Sequence, residues 1–151
     1  MGTTNRQYWL AIASDENCRQ LAAMGHPVYA LNRGGGNLAR SINTGDLCVL
    51  YRARSGRGFI GVFEVTSPAK DEPVRVGFRT YAIQIPWKPL LLCDKSPVEV
   101  QELVAQLSFI TNKKSYGTHF QTNLRRLGEV DFSQILRAIT ERSKSAAKAE
   151  I

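Results

Sequence analysis

Residues 47–66 limit the fold more than any other part of the chain. Residues 47–53 (LCVLYRA) and 59–66 (FIGVFEVT) are apolar runs rich in β-branched and aromatic side chains. Only a short link containing Gly56, Arg57 and Gly58 separates them. Two such runs joined through glycine read as an antiparallel hairpin, not as two strands of a βαβ unit, whose crossover needs a dozen or more residues. Gly61 inside the second run predicts a bulge or a close approach of another backbone, as in a small barrel.

The flanking chain adds strands at residues 8–13, 28–31 and 79–85, the last ended by Pro86. Residues 87–93 are apolar without regular spacing and are expected to cover the core. Ser14, with Asp15 and Glu16 behind it, opens a helix whose apolar stripe is Cys18, Leu21 and Ala22, stopped at Gly25. Residues 38–42 form a short helix. Ser96, Pro97 and Glu99 read as a helix start with a capping box, followed by the apolar face Val100, Leu103, Val104 and Leu107. Asp131 and Gln134 open a last helix that buries Phe132, Ile135, Leu136 and Ile139. Residues 142–151 are small and charged and read as a frayed tail, leaving one domain over residues 1–141. Local hairpins among short helices define an α+β chain.

With 20 Lys and Arg against 13 Asp and Glu, the net charge of +7 favours an anionic partner, nucleic acid before a membrane surface. No apolar run approaches the roughly 20 residues that span a bilayer. No charged-then-apolar leader precedes Tyr8. Cys18, Cys48 and Cys93 are too dispersed for a zinc set, and His26 and His119 are the only histidines. The expectation is a protein of the reducing cytoplasm without metal or cofactor. Its oligomeric state is not legible. Gly34-x-Gly36-x-x-Ala39 imitates a dinucleotide fingerprint, but the next strand begins at about Leu47. The helix between is then too short for a crossover, and no acidic residue stands about 20 positions on for a ribose. The glycines still allow backbone to approach an anion or a base.

Residues 109–127 (FITNKKSYGTHFQTNLRRL) hold Lys113, Lys114, Arg125 and Arg126 and no acid, with Tyr116, His119 and Phe120 interleaved. Cations neutralise phosphates and aromatic rings stack on bases. A solvated basic turn with Phe109, Phe120 and Leu124 packed inward accounts for the same residues. No Gly-x-Ser-x-Gly elbow accompanies His119, and no nucleophile stands beside it, so a binding module is preferred to an enzyme. The alternatives are an RNA- or nucleotide-processing enzyme using His119, and a small-ligand or protein-interaction module.

Phe109-Ile110-x-Asn112-Lys113-Lys114-x-Tyr116, followed by His119-Phe120 and Leu124-Arg125-x-Leu127, resembles the C-terminal signature of EVE domains. These are PUA-like relatives of YTH domains. The resemblance extends to Tyr8-Trp9 and Gly45-Asp46. It implies a partly open barrel of five to six strands flanked by short helices. It also implies a non-catalytic reader of a modified, for example methylated, base flipped into an aromatic pocket, in DNA before RNA. Carried onto this chain, the pocket falls to Tyr29, Asn37, Phe78 and Tyr116, with Trp9, Asn32 and His119 placed beside them. Arg33 joins Lys113, Lys114 and Arg125 as phosphate contacts. Tyr29 and Tyr116 replace the tryptophans common in relatives, which favours a more polar modification or a weaker grip.

Overall fold

The computed structural model describes residues 6–14, 28–31, 36–53, 57–76, 79–93, 96–103, 105–108 and 124–149. The strands are β1 (Tyr8–Ser14), β2 (Val28–Leu31), β3 (Leu47–Ala53), β4 (Gly58–Val65), β5 (Val74–Val76), β6 (Arg79–Tyr81), β7 (Ile83–Leu92) and β8 (Leu124–Leu127). Two helices, α1 (Gly36–Ala39) and α2 (Glu129–Ala149), and a 3-10 turn at Val100–Glu102 complete the described elements. Six strands form one curled sheet in the order β2-β7-β4-β3-β1-β8, and β5 and β6 form a separate hairpin. The architecture is a curled six-stranded half-barrel with one C-terminal helix.

The hairpin read from residues 47–66 is present, β3 and β4 pairing antiparallel from Leu47–Glu64 to Arg52–Gly58. Both strands are apolar along their length because the sheet is covered on both faces. An inner cluster inside the curl contains Trp9, Ala11, Tyr29, Leu31, Ala39, Ile42, Cys48, Phe63 and Trp87. An outer cluster contains Leu10, Ile12, Val49, Tyr51, Val62, Phe132, Ile135 and Ile139, and seats α2 on the convex face. β1 runs parallel to β3, Tyr8 opposite Leu47. That pairing joins strands remote in sequence, and no periodicity announces it.

Gly61 stands beside an irregularity in the β3–β4 register. A Cβ there would meet the Leu91 carbonyl oxygen at 2.9 Å, so the close approach read from the glycine is real. Gly58 takes φ +149, and a Cβ on it would lie 2.7 Å from the Cβ of Pro97. Both glycines let β4 pass under its neighbours.

Four sequence readings are corrected. Residues 79–85 are not one strand: β6 ends at Tyr81 and β7 begins at Ile83. β7 then continues through Pro86 to Leu92 over the stretch read as irregular. Pro89 is tolerated because the register shifts between Val62 and Phe63, leaving Leu90 unpaired beside it, as at a bulge, and Pro86 because it stands where the ladders with β2 and β4 end. The helix expected from Ser96 is a 3-10 turn, because Val98 instead pairs with Phe59 as a β-bridge. Its capping box is closed by Glu99 and Glu102, not by Ser96 and Glu99. Residues read as a tail from Arg142 onward continue α2 as far as Ala149. Arg142 donates to the Pro97 carbonyl at 3.0 Å and pairs with Glu102 at 2.5 Å. The helix expected over residues 14–24 lies outside the described residues, except Ser14, which ends β1.

Candidate nucleic-acid interface

An aromatic row fills the curl. Phe63 stacks on Trp87 at 4.3 Å between ring centroids, and Trp87 meets Tyr29 at 5.2 Å. Tyr29 is on β2, at one end of the strand order, and is only 2% exposed. Its hydroxyl accepts a hydrogen bond from the Ile12 N–H at 3.1 Å and donates one to the Ile12 carbonyl at 2.7 Å. Ile12 stands one residue past the last β1–β8 pair, Ala11–Leu124. Tyr29 thus occupies the edge of β1 where β8 no longer covers it. Its side chain bridges the mouth of the half-barrel.

Trp9 is fully buried in the same cluster, and its indole N–H donates to Asp46 at 3.0 Å. Asp46 also accepts from the backbone N–H of Gln7 and of Asn43, at 3.0 and 2.9 Å, and from the Gln7 side-chain amide at 3.2 Å. With four donors, this buried carboxylate is solvated by the protein instead of by water. It fixes the start of β1 to the turn before β3. The Gln7 amide also donates to the Ser41 carbonyl at 2.8 Å, and so holds the segment following α1 against β1. Burial, and then the Asp46 carboxylate, push the Cys48 thiol far above its ordinary pKa.

α1 carries the backbone of Asn37, and Ala39 and Ile42 behind it seal the inner cluster. The same short helix lies against β8. Tyr29 and Leu124, where the basic stretch enters the sheet, therefore meet at the β1 edge around Ile12, and α1 lies against β8. Asn32, Arg33, Phe78, Lys113, Lys114, Tyr116 and His119 lie outside the described residues, as does the side chain of Asn37. Trp9 and Tyr29 are brought together in the inner core.

The register of β8 separates its two arginines. Cross-strand partners share a face. Leu124 opposite Ala11 is in the inner cluster, and Leu127 opposite Tyr8 is in the outer one. Arg126, opposite Trp9, therefore faces inward, whereas Arg125, opposite Leu10, faces the side packed by α2. Arg125 is half-buried and already engaged within the fold. Sequence reasoning chose Arg125 from the motif. The alternation along β8, anchored on Leu124 and Leu127, is the signal that distinguishes the two. It also passed over Phe63 and Trp87, although Ile83, Ile85 and Trp87 alternate as inward positions of one strand.

A hollow lined by Tyr51, Arg57, Glu99, Val100 and Gln101 includes none of the expected pocket residues. Among the described residues, no group of three or more His, Cys, Asp and Glu is placed to hold a metal. No described helix is long and apolar enough to cross a membrane.

The curled six-stranded half-barrel backed by one helix is a fold shared with solved PUA-like structures. Human THYN1 in complex with DNA containing 5-methylcytosine matches with a TM-score of 0.60 at 14% identity, over 87% of this chain and 96% of that one. The YTH domain of Zygosaccharomyces rouxii MRB1 in complex with N6-methyladenosine RNA matches with a TM-score of 0.62 at 15% identity, over 89% and 87%. A UPF0310 protein of Pyrococcus horikoshii is 29% identical over 143 residues, 85% of this chain and 95% of that protein. The EVE domain family matches residues 7–138, and the chain belongs to that family.

Proposed function

We propose that the protein is a non-catalytic reader of a modified base, flipped out of a nucleic-acid strand and held at the mouth of the half-barrel. The observation that carries this reading is the meeting of Tyr29 and the entry to β8 at the β1 edge around Ile12, with α1 lying against β8. It brings the aromatic interior to the described end of the acid-free basic stretch, Leu124–Leu127, against which α1 lies. Similar folds were solved with methylated bases in DNA and in RNA.

A flipped base loses its stacking, and an aromatic pocket returns it. In this reading Tyr116 supplies the stacking face, and Asn37 reads a base edge. Tyr29 and Trp9, being buried, form the floor and back wall that keep the pocket's shape. A buried methyl group contributes only about 0.8 kcal/mol. Phosphate contacts from Lys113, Lys114 and Arg33 therefore supply much of the affinity. DNA is the preferred strand, in a cytoplasmic setting.

Tyr116→Ala tests the assignment directly. Losing a stacked ring costs roughly 1–3 kcal/mol. The variant should lose its preference for modified over unmodified oligonucleotides and keep the salt-dependent component. If it still discriminates like the parent, Tyr116 is not the stacking face.

A further inference from the structure

We propose that Arg126 grips a phosphodiester of the bound strand beside α1, and that Arg125, its neighbour in the family-like motif, does not. The proposal rests on the nucleic-acid reading above and adds to it a cation on the strand that borders the mouth.

Four observations carry it. Arg126 is the cross-strand partner of Trp9 and shares the inner face with Leu124 and Ala11. It is two residues from Leu124, a spacing of roughly 7 Å along a strand, and so stands just beside the mouth. β8 is the terminal strand of the sheet, so among the described residues no further strand covers Arg126, and α1, whose Ala39 belongs to the inner cluster, lies against β8. Arg126 is exposed, and among the described residues it has no hydrogen-bond or ion-pair partner. The other described arginines of this region are committed: Arg40 pairs with Asp71 at 3.4 Å, and Arg6 lies 4.0 Å from Glu64.

An exposed guanidinium without a carboxylate partner, fixed in direction by a strand and set at the mouth, suits bidentate contact with phosphate oxygens. Such a contact carries no sequence information. It fixes where the strand lies relative to the pocket.

The test measures affinity for one unmodified and one modified oligonucleotide between about 50 and 200 mM salt. Arg126→Ala should weaken both equally and lower the salt slope by about one on duplex DNA, or about 0.7 on a single strand. Its melting temperature should be unchanged, and Arg126→Lys should recover most of the slope. Arg125→Ala should melt lower with its slope intact. A slope unaltered by Arg126→Ala, or lowered by Arg125→Ala at constant melting temperature, overturns the proposal. Retained base preference with an unaltered slope refutes Arg126 alone. A lowered slope in a protein that never prefers the modified base supports Arg126 and refutes base reading. Absence of any binding to either oligonucleotide refutes both.

Discussion

The Tyr29 hydroxyl serves Ile12 twice, accepting from its N–H at 3.1 Å and donating to its carbonyl at 2.7 Å. A side chain on the first strand of the sheet order thereby completes the backbone bonding of the fifth. The aromatic ring is needed for reach and packing, and the hydroxyl for satisfying two buried backbone groups.

Tyr29→Phe separates these roles. It keeps the ring and strands the Ile12 groups, at a cost of about 1–3 kcal/mol. For a domain of this size, each kcal/mol lowers the melting point by about 2–4 °C. Base preference should survive, because the ring and the mouth remain. A thermal melt paired with two binding titrations checks it, and a variant as stable as the parent would show the tie to be dispensable.

Asp46→Ala should destabilise more than Tyr29→Phe. It strands the Trp9 indole N–H and the backbone donors of Gln7 and Asn43 together. Each buried donor left without an acceptor costs roughly 1–3 kcal/mol. Trp9→Phe in the Asp46→Ala background should then be less damaging than Trp9→Phe alone, because the indole no longer has its acceptor. Denaturant midpoints of the four proteins give the coupling, and strict additivity would contradict it.

Cys48 predicts a loss of stability at alkaline pH. Its thiol is held protonated in the folded state, but ionises at about pH 8.5 in the unfolded chain. Above that pH the folded state holds one proton more, so unfolding becomes easier by about 1.4 kcal/mol per pH unit from this group. The contribution is fully retained below the unfolded value and declines as pH rises above it. Cys48→Ala should flatten the stability profile between about pH 9 and 10 relative to the parent. Parallel profiles for the two proteins would count against it.

Gly61→Ala should cost about 1–3 kcal/mol, since its Cβ meets the Leu91 carbonyl and a Leu92 methyl, each at 2.9 Å. The backbone contact cannot yield without shifting β7. Gly128→Ala is the control, because a Cβ there meets nothing within 4 Å. Equal melting temperatures for the two variants would refute the close approach.

The β3–β4 hairpin and the close packing at Gly61 were legible because each is encoded locally, by a short link and by a missing side chain. The parallel join of β1 to β3 was not, since strands so far apart in sequence leave no periodic trace of which neighbour they choose. Pro86 and Pro89 disguised β7, in which Pro89 adjoins a bulge and Pro86 stands at the ladder ends. The capping box at Ser96 lost to a tertiary contact, the Val98–Phe59 bridge. At the candidate site, Trp9 and Tyr29 were named through the family resemblance, which says nothing of what binds them. Their polar partners Asp46 and Ile12 belong to other strands and were invisible to spacing. The motif pointed to Arg125, whereas only the pairing partners of β8 reveal which arginine turns inward.

Titration of the purified protein against matched oligonucleotides, DNA and RNA, with and without methylated cytosine or adenine, tests base reading most directly. One buried methyl contributes about 0.8 kcal/mol, or about fourfold in affinity. At least one modified strand should therefore bind about fourfold tighter than its unmodified twin, with a ratio that salt leaves unchanged while both affinities fall. Equal affinity for every modified and unmodified pair would contradict the account.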